Sequence, residues 1–352
     1  MLETIVAPHQ KHEAVALNEG PLPLLLFLGD EVETGYAKTA YGLRDWARER
    51  CVGELTLPGA RVTTGLPALT PQAAYAQGAR ALAIGVATRG GIIPGNWMPT
   101  LLEALEAGLD IVSGMHIRLT SLPELVAVAH RLGRRLIDVR VPPAGIAVAT
   151  GERRPGWRVL TVGTDCALGK KYTALAIARG LRARGIDTTF RATGQTGIMI
   201  AGSGIPIDAI VSDFVAGAAE MLSPAASSSH IDVIEGQGSI FHPSYAAVSL
   251  GLLHGSQPDR FVVCHEPGRR TMLGMPGFAL PSIEEVIIQT VALGRLTNPT
   301  IACAGVCLNT VAMDAAAAAD EIARTSQALG MPVADPVRGG TPFERLLDAC
   351  QT

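Results

Sequence analysis

The strongest constraint on this chain is a junction in its second half. An apolar run at 158–162 leads straight into Gly163-Thr164-Asp165-Cys166-Ala167-Leu168-Gly169-Lys170-Lys171-Tyr172-Thr173, and a helical pattern follows over 172–184, closed by Gly185. Strand, glycine-bounded loop, lysine and helix, in that order, form a phosphate cradle. Successive backbone N–H groups curl around the anion, the helix N-terminus adds positive potential, and the lysine reaches the phosphate oxygens. The lysine pair stands out further against the rest of the chain. Among 352 residues there are 29 basic ones, and lysine occurs only at positions 11, 38, 170 and 171. A composition that otherwise uses arginine has placed two compact ammonium groups side by side, and the two residue types are not interchangeable at a phosphate.

The spacing is Gly-x5-Gly-Lys, one residue longer than the common Gly-x4-Gly-Lys. It resembles the GTD…GK loop of dethiobiotin synthetase-like P-loop proteins. In that pattern a Ser or Thr follows the lysine and its hydroxyl holds Mg²⁺. Here Lys171 takes the place. A second cation repels a metal ion and attracts another phosphate oxygen, and Thr173, two residues on, need not point the same way. The loop is therefore expected to hold phosphate without the usual Mg²⁺ hydroxyl, and no metal site is assigned.

Further candidates lie at the ends of expected strands, where carboxyl edges face the ligand crevice of such sheets. Glu235 ends the run 231–235 and opens Gly236-Gln237-Gly238-Ser239. It resembles the acidic residue of the EGxGG segment in the same proteins, where it binds Mg²⁺; with Lys171 in place it is free to act as a base, or it merely pairs with a lysine. Asn309 follows the strand 301–308 and resembles an asparagine that contacts a purine. Arg191, Gln195 and Thr196 follow the strand 188–191, and the fork of Arg191 suits a carboxylate or phosphate. Arg269 and Arg270 follow the strand 260–264 and could meet a substrate carboxylate or a further phosphate. Cys166 sits near a helix N-terminus, which would favour its thiolate, although a small filler residue is the plainer reading. His116 is a candidate for a domain cleft, Gly90, Gly91 and Gly95 for a loop over the site, and His230 and His242 lack metal-ligand spacing.

The first half alternates short apolar strands (24–28, 79–87, 110–113, 136–139) with helices (41–50, 101–107, 123–132). The second half continues with strands at 158–162, 188–191, 209–211, 232–234, 260–264, 301–308 and 332–334, and with helices that include 283–293 and 314–329. This rhythm implies two parallel α/β sheets, one in a domain over 1–152 and one, with the phosphate loop, in a domain over 153–352. The boundary falls in the Pro- and Gly-rich stretch 141–156. Only 17% of residues are charged and 48% are hydrophobic, which excludes a disordered chain. The net charge of −3 and 4% aromatic content exclude a broad basic or stacking surface for nucleic acid. No apolar run approaches the ~20 residues of a membrane span, residues 1–13 are acidic and polar rather than a signal peptide, and six scattered cysteines read as the reduced thiols of a cytoplasmic protein. High apolar content suits a homo-oligomer.

Residues 163–173, the segment 235–239, the run Ala334-Asp335-Pro336-Val337-Arg338 and the two-domain order together resemble the DgcN-type D-amino acid N-acetyltransferases. The resemblance implies an N-terminal Rossmann-like domain, a C-terminal P-loop NTPase-like domain, and acetyl transfer from acetyl-CoA to the amino group of D-glutamate or a similar D-amino acid, opening D-amino-acid catabolism. Coenzyme A offers a diphosphate and a 3′-phosphate but no phosphoryl group to transfer, which suits a two-lysine cradle spanning Gly163, Thr164, Asp165, Cys166, Ala167, Gly169, Lys170, Lys171, Tyr172 and Thr173, with Asn309 beside it. A dicarboxylate acceptor calls for Arg191, Arg269 or Arg270, with Gln195 and Thr196 nearby. The attacking amine needs a base: Glu235 first, with Asp165 and Asp213 behind it, while loop N–H groups or Lys171 meet the oxyanion. The competing expectation is a Mg-ATP-dependent ligase or kinase of the dethiobiotin synthetase type, with Thr173 and Glu235 holding the metal.

Overall fold

Every residue of Leu24–Gly29 is buried, the condition of a parallel strand covered on both faces. A computed structural model describes residues 15–16 and 22–352 of the chain; the expectation for residues 1–13 falls outside the described residues. In it this strand (β1) joins β2 (Cys51–Thr56), β3 (Ala81–Ile84), β4 (Asp110–Ser113) and β5 (Leu136–Asp138) in one parallel sheet of order β2-β1-β3-β4-β5. That is a doubly wound order, whose ligands bind outside the carboxyl ends of the strands.

The second sheet is also parallel. It contains β6 (Trp157–Gly163), β7 (Thr188–Arg191), β8 (Ile231–Ile234), β9 (Arg260–His265), β10 (Ala302–Leu308) and β11 (Val333–Ala334), in the order β11-β10-β9-β6-β8-β7. Alternate residues feed different cores, as the two-residue period of a strand requires. Leu160, Ile234, Phe261 and Val263 enter a cluster with the helices Val215–Leu222, Ala246–Ser256 and Ile283–Gly294. Val159, Val233, Val262 and Cys264 face the other way, into a cluster that continues through the helix Lys170–Ala183 to Leu24, Ala40 and Leu43 of the first domain. The two domains thus share one apolar core.

Polar contacts seal the joint. The helix Lys38–Trp46 packs on the helix Gln195–Ala201, with Thr39 Oγ1 and Thr196 Oγ1 at 2.8 Å. Arg50 donates to the Met199 carbonyl at 2.7 Å, Tyr172 donates to Asp45 at 2.7 Å, and the Arg179 guanidinium lies 4.2 Å over the Trp46 ring. Val15–Ala16 pairs antiparallel with Ser203–Gly204. The stretch before β6 is pinned to the second domain, where the N–H groups of Thr150 and Gly151 both donate to Glu220.

Three local expectations change. Cys51–Thr56 is a strand that the pattern does not announce, because Gly53 and Glu54 interrupt it; Glu54 is buried there and accepts from Thr63, Thr64 and the Thr64 N–H. Residues 209–211 are not a strand. The Ile207 N–H bonds to the Thr193 carbonyl, so a 3₁₀ turn at Ile207–Ala209 closes over that loop and leaves Val211 exposed. The segment after the strand 188–191, to which the pattern assigns no element, forms the helix Gln195–Ala201.

Candidate active site

The loop after β6 is curled by two left-handed residues, Ala167 (φ 57°) and Gly169 (φ 107°). The Thr164 N–H bonds to the Cys264 carbonyl at the end of β9, and the next N–H groups, 165–169, donate to no acceptor among the described residues. These free donors, at the start of Lys170–Ala183, form an anion cradle. Lys170 folds back over it, donating to the Asp165 carbonyl at 2.6 Å, and burial lowers its pKa from 10.5. Arg269 covers the loop from the β9 side, donating to the Cys166 carbonyl at 3.0 Å and standing 3.6 Å from Asp165. Asn309 stands at the carboxyl edge beside it, with its N–H on the His265 carbonyl.

Helical rotation separates the residues after Lys170. Positions two apart face opposite sides of a helix. Thr173 accordingly points into the core, only 2% exposed, where its hydroxyl accepts from Cys264 Sγ at 3.4 Å. It therefore meets neither phosphate nor metal, which corrects both its place in the cradle and its part in the Mg-ATP alternative. Tyr172 faces the first domain, bonded to Asp45 and edge-on to Trp46.

Lys171 turns toward the domain joint. Its ammonium has no hydrogen-bond acceptor among the described residues; it lies 5.5 Å from the Tyr172 ring centre and against Gly42, where an added Cβ would be 3.0 Å from Nζ. Burial brings its pKa from 10.5 down to about 8, opposed mainly by the charge of Glu235. Glu235, 5% exposed at the end of β8, holds Oε2 on the N–H groups of Thr193 and Gly194 at 3.0 and 3.2 Å. Gly197 abuts the same oxygen so closely that a Cβ would stand 2.2 Å from it. Burial pushes the carboxyl up from 4.5, while the charge of Lys171 and those two N–H groups pull it back. A lysine driven down and a carboxyl driven up, each acting on the other, is a combination typical of acid–base sites.

The structure adds a cluster of Asp165, Cys166 and His242, whose polar atoms lie within 4.8 Å of one another. Asp165 is fully buried, with Oδ2 on the Leu273 N–H and Oδ1 unpartnered, 3.9 Å from His242 Nε2. His242 Nδ1 accepts from the Ser244 N–H at 3.1 Å, so a neutral ring carries its proton on Nε2. A protonated nitrogen offers no lone pair, and the cluster does not fit a metal. Burial raises the Cys166 pKa above 9.0 despite Lys170, so it is a thiol rather than an activated thiolate.

Several expected binders are placed elsewhere. Arg191 is committed to the buried Asp232 at 2.6 Å, among Ser223 and His230. Asp213 is exposed on the turn Ser212–Phe214, and Arg270 is exposed where its carbonyl accepts the Leu280 N–H. Thr196 is spent on Thr39. Gln195 faces a cavity between the domains and accepts from Arg140, a residue the sequence did not single out. Neither did it single out Thr193, whose N–H holds Glu235 and whose only signal was its place just after an expected strand.

A doubly wound parallel domain packed on a second parallel domain with a glycine-bounded loop before a lysine-led helix, and lysine in place of the usual Mg²⁺-holding hydroxyl, places the chain among two-domain Rossmann-like and P-loop α/β proteins. The chain belongs to the DUF1611 family: its residues 53–142 match the Rossmann-like N-terminal domain of unknown function and residues 146–347 the P-loop C-terminal one. It is 46% identical over 327 residues to a protein of Tritonibacter scottomollicae named D-glutamate N-acetyltransferase, covering 93% of this chain and 98% of that one. A Pseudoalteromonas protein of the same name is 45% identical over 318 residues, covering 90% and 96%. The crystal structure of a DUF1611 family protein from Anabaena variabilis superposes with a TM-score of 0.82 at 33% identity, covering 94% of this chain and 98% of that chain. Among the described residues no helix is long and apolar enough to cross a membrane.

Proposed function

We propose that this protein is an N-acetyltransferase that moves the acetyl group of acetyl-CoA to the amino group of D-glutamate or a related D-amino acid, in D-amino-acid catabolism. The observation that carries the reading is the Glu235–Lys171 pair beside a cradle without a metal-holding hydroxyl, in a chain about 45% identical to two D-glutamate N-acetyltransferases. The 165–169 N–H groups, Lys170 and Arg269 suit the diphosphate of the donor. The donor supplies an activated thioester. Glu235 takes a proton from the acceptor's ammonium group, leaving a nitrogen lone pair to form the N–C bond as the C–S bond breaks. Lys171, charged at neutral pH, stabilises the negative charge that grows on the carbonyl oxygen, and as the C–S bond breaks the coenzyme A thiolate leaves and takes up the second proton shed by the newly acylated nitrogen, the first being on Glu235. The raised thiol of Cys166 favours direct transfer over an acyl-enzyme. Six unpaired cysteines, four of them buried, suit the reducing cytoplasm.

The test is release of coenzyme A thiol from acetyl-CoA with D-glutamate, against L-glutamate and a control lacking amino acid. Release only with the D-amino acid supports the reading. No release, with ADP formed instead from Mg-ATP, overturns it.

A further inference from the structure

The first domain contributes a cavity to the joint. It measures about 320 Å³, at the lower end of the roughly 300–1,000 Å³ of small-molecule sites. Thr88 and Gly91 enter it after β3, Gly114 and His116 after β4, Arg140 after β5, and Gln195 from the second domain. These are carboxyl-edge positions, where doubly wound sheets bind ligands.

Its one charged lining group among the described residues, Arg140, is ion-paired with Asp208 just outside it. The Arg140 side chain is only 12% exposed, and no carboxylate lines the cavity among the described residues. The guanidinium donates to Asp208 at 2.7 Å and to Gln195 Oε1 at 3.2 Å. Two of its five N–H donors are thereby used, and three remain for a ligand. Glu235 and Lys171 do not line the cavity; the helix that supplies its wall also reaches them. Gln195 is that wall, Thr196 touches the Gly42 backbone where Lys171 lies, and Gly197 abuts Glu235 Oε2. Gln195 and Gly197, two positions apart, face opposite sides of this first helical turn, so the cavity and Glu235 lie on either side of it.

The geometry points to this cavity as the acceptor pocket: Arg140 holds the side-chain carboxylate of an anionic amino acid, whose remaining atoms extend past the first turn of the helix Gln195–Ala201 toward Glu235. The inference rests on the acetyltransferase reading and gives the first domain a direct part in it. It predicts that an acceptor with a side-chain carboxylate is preferred over its amide.

The experiment compares wild type, Arg140→Gln, Arg140→Lys and Asp208→Asn, using acetyl transfer to D-glutamate and D-glutamine and calorimetric binding of D-glutamate. Arg140→Gln should raise the KM for D-glutamate at least tenfold, leave the KM for acetyl-CoA within twofold, and erase the preference over D-glutamine. Arg140→Lys keeps the charge but loses the fork and should fall between. Asp208→Asn breaks the same ion pair yet frees the guanidinium, so its KM for D-glutamate should stay or fall. Equal rises in Arg140→Gln and Asp208→Asn, or an unchanged KM in both Arg140 variants, overturn the inference. Failure of the acetyltransferase reading shows separately, as a wild type without turnover; calorimetric binding lost in Arg140→Lys would then still support the pocket, and unaltered binding would refute it.

Discussion

Replacing Lys171 by methionine is expected to stabilise the folded protein near neutral pH while removing most of its activity. The amine sits at the domain joint without a hydrogen-bond acceptor among the described residues, and burial takes its pKa from 10.5 to about 8. At about 1.4 kcal/mol per pH unit the difference amounts to about 3 kcal/mol. The sign follows from proton counts. Below about pH 8 the amine is protonated in both states and the folded state bears the whole penalty. Between about 8 and 10.5 the unfolded chain binds more protons, so stability rises with pH, and above 10.5 the penalty is gone. Methionine keeps an unbranched side chain one atom shorter, without the charge. Glu235 loses a favourable neighbour, which offsets part of the gain and leaves about 2 kcal/mol at pH 7. Denaturant unfolding from pH 7 to 10.5 measures this directly. The variant should begin more stable, and its advantage should shrink as pH rises. Turnover should fall about 10²–10³-fold, as when one oxyanion donor is removed. A variant no more stable than wild type at pH 7, with the same dependence on pH, would refute the argument that Lys171 is held at a cost.

Glu235→Gln should retain the fold, because its amide carbonyl can still accept from Thr193 and Gly194; the rate should drop about 10²–10⁴-fold with acetyl-CoA binding intact, and a full rate would remove Glu235 as the base. In the wild type, the acid limb of kcat/KM should lie above pH 4.5, since burial raises this carboxyl, and a limb at or below 4.5 would contradict that assignment. Thr173→Val should leave the KM for acetyl-CoA within twofold and cost less than about 2 kcal/mol of stability, because the hydroxyl meets the core thiols of Cys264 and Cys307 rather than the cradle; a large KM change would place it back at the ligand. Gly42→Ala puts a methyl 2.7 Å from Thr196 and 3.0 Å from Lys171 Nζ, so thermal unfolding should report about 1–3 kcal/mol of destabilisation together with slower turnover.

Much of the architecture is legible in the residue order. The apolar run Leu24–Leu28 and the junction 158–172 declare buried parallel strands, since only strands covered on both faces are apolar throughout. The cradle is legible too, because its donors are backbone groups of consecutive residues. Cys51–Thr56 escapes, since Glu54 is satisfied by Thr63 and Thr64 from a loop whose return is a tertiary event.

The site divides along the same line. By itself the sequence determined the phosphate loop, the missing Mg²⁺ hydroxyl and the presence of Lys171 and Glu235, all local facts of residue type and spacing. Only the tertiary structure decided where each side chain points. Arg191 looks available in the sequence, but a neighbouring strand sets Asp232 beside it. Asp213 is an acid near the right strands that the fold leaves in solvent. Arg140 lies 55 residues before Gln195, its partner across the joint. Pairings of that range depend on how two sheets dock, and docking is set by the shared apolar core rather than by any local pattern.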